Sequence, residues 1–371
     1  MRREPGTGTG TGTSSRRRRP TPAAVAAALA LQLALGGCAH TVAQPLPSGA
    51  EHHRVRTRDG YALALVRYAP KGPIAGPPVL LVHGISANGR NMDFEDALSL
   101  PRWLAARGHD AWVLSIRGTG DSDDPDPKAG RAGGHTFDTL WREDLPATIA
   151  YVREQTGGAA IDYVGHSMGG MLAYAYLSQG GEGLDRVVTL GSPTRLDHGS
   201  STLTSALSLR SWVPSGGTLP SRELARLSAP VYGLLPDDLM TLLLFNPQNV
   251  SAPLWRRFMV TGVDDVSTPL LLQLSQMVDR GWFGSADGAL DFRAGLAQVR
   301  NPVLVVAGKL DRFGTPMAAW DAYRALGGEK RWLMLARTHG TQADYGHMDY
   351  LLGVRAPVEL WPQLQDFLTR R

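Results

Sequence analysis

Five consecutive residues, Gly165, His166, Ser167, Met168 and Gly169, have the types and spacing that expose a serine hydroxyl on a tight turn. In a Gly-x-Ser-x-Gly run the two glycines leave room where a strand turns abruptly into a helix, and the serine is the residue at the apex. Neighbouring residues fit that context: Ile161 to Val164 is a short apolar run of strand character, and Gly170 to Leu177 has helix-forming composition. A serine hydroxyl is a weak nucleophile until a base removes its proton, so the chain should supply a histidine and a carboxylate that orients it. Asp311 follows the apolar run Val303 to Ala307 through Gly308, Lys309 and Leu310, which places it at the carboxyl end of a sheet strand. His347 lies after a further run, Trp332 to Leu335, and just before the last helical stretch. His339 is the competing histidine, and His347 is preferred because Tyr345 to Asp349 abuts that terminal helix.

Acyl transfer by such a trio also needs two backbone donors for the negative oxygen of the tetrahedral intermediate. One is the N–H of Met168, next to the nucleophile. The other is that of Ile85, which follows His83 and Gly84 at the end of the apolar run Val79 to Val82. His83 is read as buttressing that loop, and Arg117 to Ser122 as a structural turn. Asp123, Asp124 and Asp126 alternate with prolines and are read as a solvated loop, while His52 and His53 are assigned to the surface. Neither group has the ligand spacing of a metal site, and no metal or organic cofactor is called for.

These residues need a scaffold, and the pattern between them describes one. Apolar runs bounded by turn residues alternate with longer helical stretches, the signature of a mainly parallel, doubly wound sheet. Expected strands are Tyr61 to Tyr68 (an edge strand), Val79 to Val82, Ala111 to Ile116, Ile161 to Val164, Val187 to Leu190, Val303 to Ala307 and Trp332 to Leu335. Expected helices are Asp93 to Arg107, Thr139 to Gln155, Met168 to Gln179 and Ala356 to Arg370. The strand rhythm stops between Pro193 and Asn301, where Asp237 to Phe245 and Ser267 to Trp282 have helical spacing and Met240 to Leu244 is leucine-rich. The expected organisation is a core over 51–193 and 301–371 interrupted by a helical cap over 194–300.

The first 37 residues read as an export signal: Arg16 to Arg19 form a positive block and Ala23 to Leu35 an apolar stretch too short to span a bilayer. Leu35, Gly36 and Gly37 lead to Cys38, the only cysteine of the chain. This end is similar to the bacterial lipobox, whose cysteine is lipidated and becomes the mature N-terminus, with residues 38–50 as a flexible tether. The expected location is the cell envelope, by a lipid anchor, on the periplasmic face of an outer membrane if one exists. Removing 1–37 takes away six arginines and one glutamate, so the net charge falls from +4 to −1. A nucleic-acid partner is therefore not expected.

Several segments together resemble the acid-lipase branch of the α/β-hydrolases. They are His83 Gly84 Ile85; Gly108 to Leu114 followed by Arg117 Gly118; Phe137 Asp138; Asp144 to Ile149, similar to that family's DLPATI segment; and Tyr345 to Gly353, similar to its histidine region. The resemblance covers about 79 to 193 and 302 to 370. It implies an α/β-hydrolase fold and an esterase or lipase acting on small-molecule acyl esters, with Ser167, Asp311 and His347 as triad and Ile85 and Met168 as oxyanion donors. Met168 stands where that family typically has glutamine, and 193–301 carries no matching motif, so the resemblance does not specify the substrate. Rival readings are an acyltransferase or polyester-processing enzyme with the same trio, and a lipoprotein that binds an acyl ligand without turnover. A cysteine nucleophile is absent at position 167, which weighs against a polyester synthase. An epoxide hydrolase or haloalkane dehalogenase would need aspartate there.

Overall fold

In the computed structural model the described residues are 49–124, 134–158, 160–195, 217–232 and 244–370. Cys38, Asp126 and Met240 to Leu243 therefore lie outside them. Among the described residues the main sheet has eight strands: β1 (Glu51–Arg56), β2 (Ala62–Tyr68), β3 (Val79–Val82), β4 (Ala111–Ser115), β5 (Ile161–His166), β6 (Leu184–Leu190), β9 (Val303–Gly308) and β10 (Lys330–Leu335). Their order is β1-β2-β4-β3-β5-β6-β9-β10; β1 and β2 are antiparallel to their neighbours, and all pairs from β4 to β10 are parallel. β2 is thus an inner strand and β1 the edge, in place of the edge position expected for Tyr61 to Tyr68.

The inner strands β3 and β9 are apolar throughout and fully buried because both of their faces are covered. Along β3, Leu80 and Val82 face one core layer while Val79 and Leu81 face the other. The first layer packs against α2 (Leu145–Gln155) and α3 (Met168–Ser178), the second against α1 (Leu100–Ala105) and α8 (Trp361–Thr369). The longer helices of the remaining described chain are α4 (Ser221–Ser228), α5 (Ala252–Thr261), α6 (Thr268–Arg280) and α7 (Pro316–Ala325).

Three helices differ from expectation for local reasons. Only Leu100–Ala105 of the Asp93 to Arg107 stretch is α-helical. Pro101 has no N–H and suits a first turn, and the Asp93 carboxylate ties down the preceding residues by accepting from the Ser99 and Tyr68 hydroxyls. The stretch ending at Gln155 starts earlier, at Phe137, and passes through a π-helical turn, Leu140–Asp144, just before Pro146. In that turn the Leu145 N–H donates to Leu140 C=O, five residues back, directly before the residue that has no N–H to give. The terminal helix is broken at Leu360, and Pro362, which has no N–H to continue the preceding turn, falls in the first turn of the helix that resumes at Trp361.

Two surface assignments are also corrected. His53 is half-buried, its ring against Trp112 and Tyr151, with Nδ1 2.9 Å from the Tyr151 hydroxyl. Asp123 is no free loop carboxylate: it accepts from Arg54 and from the Ala62 N–H, fastening its loop to β2.

Between β6 and β9 lie α4, α5, α6 and a small antiparallel pair, β7 (Thr218–Leu219) with β8 (Val266–Ser267). Tyr232, Phe245, Trp255 and Phe258 there pack with Phe94, Met348 and Leu352 of the core in one aromatic cluster. No described helix is long and apolar enough to cross a membrane.

Candidate active site

The Ser167 hydroxyl lies at the carboxyl end of the sheet, between β5 and α3. Its backbone has φ 54° and ψ −119°, a left-handed conformation that costs a non-glycine residue about 1–3 kcal/mol. The surrounding structure holds it there. The Ser167 N–H donates to Leu190 C=O, and its own C=O accepts from Gly170 and Met171. A Cβ on Gly165 would come within 2.4 Å of Gly170 N, and one on Gly169 within 2.2 Å of Val82 O, so neither position has room for a side chain.

Ser167, His347 and Asp311, singled out from three distant parts of the chain, lie in one hydrogen-bonded row. Ser167 Oγ is 2.9 Å from His347 Nε2, and His347 Nδ1 is 3.0 and 2.9 Å from the two Asp311 oxygens. All three are buried, with Ser167 the most accessible at 9%. With the proton on Nδ1 the imidazole donates to the carboxylate and accepts from the serine. Asp311 also accepts from the Phe313 and Gly314 N–H groups at 2.9 and 2.8 Å and from the Tyr350 hydroxyl at 2.9 Å. Donors on several sides thus fix the orientation of the carboxylate. Phe313 lies beside the imidazole, ring centroids 5.2 Å apart. His339 stands outside the row: it is exposed and pairs with the Thr338 hydroxyl.

Four residues that complete this arrangement were not singled out from the sequence: His166, Asn91, Gly191 and Tyr350. His166 Nε2 is 2.9 Å from the C=O of His347, and Nδ1 is 2.9 Å from the Asn91 carboxamide. Burial, then the neighbouring His347, lowers the His166 pKa to about 3, so the ring is neutral and donates once. Both contacts are to acceptors, the His347 carbonyl and Asn91 Oδ1, and the ring's one proton serves one of them; the contact with His347 C=O ties the histidine loop to the nucleophile turn. A short signal existed in the x of Gly-x-Ser-x-Gly, but nothing local indicates that His166 reaches 181 residues onward.

Gly84 brings the loop after β3 across the serine: a Cβ there would lie 3.0 Å from Ser167 Cβ. Ile85 follows directly. Met168 is the first residue of α3, where backbone N–H groups have no partner inside the helix. His83 is fully buried and bridges two loops, Nδ1 to Gly84 C=O at 2.8 Å and Nε2 accepting from Ile116 N–H at 3.2 Å. Burial lowers its pKa to about 4, leaving a neutral structural ring rather than a base exposed to substrate.

Arg117 is buried too, doubly bonded to Asp144 and Asp59 with its guanidinium 4.2 Å from the Tyr61 ring centroid. It is thereby committed within the core. Among the described residues no group of three or more His, Cys, Asp or Glu is placed to hold a metal ion.

Residues 77–354 match the family described as alpha/beta hydrolase fold. Triacylglycerol lipase 2 of Arabidopsis thaliana is 33% identical over 159 residues, 40% of this chain and 38% of that protein. Human lysosomal acid lipase/cholesteryl ester hydrolase is 33% identical over 141 residues, 35% of each chain. The matched stretch therefore spans little more than a third of these relatives. An esterase from Exiguobacterium antarcticum superposes with TM-score 0.57 at 17% identity, covering 86% of this chain and all of that one. A Paleococcus ferrophilus monoacylglycerol lipase does so with TM-score 0.57 at 16% identity, covering 83% and 98%.

Proposed function

The chain belongs to the alpha/beta hydrolase fold family, and from that membership we propose that it is a serine hydrolase of carboxylic esters, related in chemistry to the lipases it resembles. The observation that carries the reading is the row Ser167–His347–Asp311, with hydrogen-bond distances of 2.9 to 3.0 Å throughout. In this reading His347 removes the Ser167 proton as Oγ attacks the acyl carbon. The N–H groups of Ile85 and Met168 receive the oxyanion, a contribution of about 3–4 kcal/mol per donor in related chemistry. His347 then passes the proton to the departing alcohol, and a water molecule, activated the same way, releases the acid from the acyl-enzyme. Asp311 holds the tautomer and stabilises the imidazolium.

The segment 194–300 is proposed as the cap that selects the acyl group and alcohol. Residues 1–37 are proposed as an export signal and Cys38 as the lipid-bearing residue that tethers the protein to the cell envelope. The lone cysteine behind Leu-Gly-Gly supports this, and loss of palmitate labelling in Cys38→Ala tests it.

The test of the activity is hydrolysis of a short-chain and a long-chain p-nitrophenyl ester by the protein beginning at Ala39, beside Ser167→Ala. Turnover should fall at least about 10³-fold in the variant. Equal turnover in both would refute the assignment, and dominant transfer to an added alcohol would move it to acyltransferase.

A further inference from the structure

The loop that carries Ile85 is gripped from outside the core by a single buried carboxylate. Asp264, between α5 and β8, is 1% exposed. Its carboxylate accepts from the Asn88 carboxamide at 3.1 Å, from the Gly120 N–H at 2.7 Å, from its neighbour Asp265 N–H at 2.9 Å and from the Arg222 guanidinium of α4. Its backbone is bonded to the same loop: Asp264 N–H donates to Ser86 C=O and the Ser86 hydroxyl donates to Asp264 C=O, both at 3.1 Å. Ala87 bridges Val263, and the Asn88 N–H donates to Gly262 C=O.

Ser86 makes this attachment informative. It is the residue after Ile85 and has φ 55°, a left-handed conformation otherwise adopted among described non-glycine residues only by Ser167. Such a conformation persists where surrounding bonds over-determine it, and it sets the direction of the adjoining peptide groups. His83 already ties Gly84 to the Ile116 turn from within the sheet. Asp264 ties Asn88 to Gly120 of that same turn from the opposite side, so the Gly84–Asn88 loop is fixed at both ends to one partner.

We propose that Asp264 is a positioning residue for catalysis: by clamping Ser86–Asn88 against the 116–122 turn it holds the Ile85 N–H where the oxyanion forms. The proposal rests on the oxyanion role given to Ile85 above. Asp264 touches no reacting atom; it acts through the loop, with the Arg222 guanidinium bonded to its carboxylate.

Asp264→Asn and Asn88→Ser test it. The serine keeps an oxygen for the Arg90 N–H, which Asn88 now caps, while losing the carboxamide donor to Asp264. Each variant is assayed for kcat and KM on a p-nitrophenyl ester and for inhibition by a trifluoromethyl ketone, whose serine adduct carries the oxyanion. The expected result is kcat lower by about 10-fold with KM within about twofold, and the ketone's Ki raised by about the same factor as kcat/KM falls. A merely structural residue would change the folded fraction, measured by circular dichroism, and leave Ki of the folded protein as in wild type. Unchanged kcat and Ki in both folded variants, or a raised KM with kcat intact, overturns the clamp. If the wild type itself shows no Ser167-dependent turnover, it is the hydrolase reading that has failed, and the two failures are thereby separated.

Discussion

The Tyr350 hydroxyl donates to Asp311 Oδ2 at 2.9 Å, on the same oxygen that lies 2.9 Å from His347 Nδ1. Tyr350 is fully buried, and burial together with the Asp311 charge holds its phenol well above the ordinary range, so it remains a donor throughout the working pH. Its own carbonyl accepts from the Trp361 indole N–H, which anchors it to α8. Tyr350 therefore joins the orienting carboxylate to the terminal helix.

Tyr350→Phe removes that one donor with little change in volume. Asp311 keeps two backbone donors and His347, so the row should persist with a less firmly held carboxylate. A hydrogen bond to a charged group contributes about 1.5–3 kcal/mol, part of which should appear as kcat lower by about 10-fold with KM nearly constant. Steady-state kinetics on a p-nitrophenyl ester would decide, and an unchanged kcat would make the contact a packing detail.

Gly191 closes β6 with φ 58°, and a Cβ there would come within 2.5 Å of Asp311 Oδ2, 2.8 Å of the Tyr350 ring and 3.3 Å of His347 Nδ1. Gly191→Ala should consequently displace the carboxylate from the imidazole. Activity should fall at least about 100-fold, since a misplacement of about 1 Å is worth that much, while circular dichroism remains native. Activity within twofold of wild type would show that the site can absorb the methyl group.

The trio was legible because each member sits after an apolar strand run, where α/β sheets place their reactive residues. Its support was not. Gly191 looks like any loop glycine, Tyr350 like any aromatic of an amphipathic terminus, and His166 like the variable position of a motif. Their roles arise from contacts across 39 to 181 residues. Strand positions were recoverable from continuous apolar runs, whereas the 93–107 helix was over-extended because side-chain bonds to Asp93 outweigh helical spacing there. Asp264 carried no local signal, since its partners lie 42, 144 and 176 positions away.

Arg117 is 1% exposed and neutralises Asp144, also 1% exposed, at 2.6 Å. Arg117→Met leaves that carboxylate buried without its cation, an arrangement that typically costs about 3–5 kcal/mol. The urea midpoint should drop accordingly, and Arg117→Met/Asp144→Leu should recover most of the loss. A single variant as stable as wild type would mean that Asp144 is relieved by protonation or water.

Stability should decline in acid because burial keeps three histidines neutral: His83 at about 4, His135 at about 3 (with Arg117 adding to burial) and His166 at about 3. Unfolded histidine titrates near 6.5. Their contribution is thus fully present above about pH 6.5 and is lost as pH falls toward 4, where the unfolded chain takes up protons that the folded one refuses. Each proton is worth about 1.4 kcal/mol per pH unit. Asp349 works in the opposite direction: burial raises it to about 7, so the folded chain retains a proton that the unfolded chain releases above about 4, and burial raises Asp144 as well, although Arg117 opposes the rise. With three histidines against two aspartates, urea midpoints should fall from pH 7 to pH 5. Asp349→Asn removes one opposing group, so its decline should be steeper by up to about 1.4 kcal/mol per pH unit. Midpoints that rise toward acid, or a shallower slope in Asp349→Asn, would show that these buried groups do not titrate as their surroundings imply.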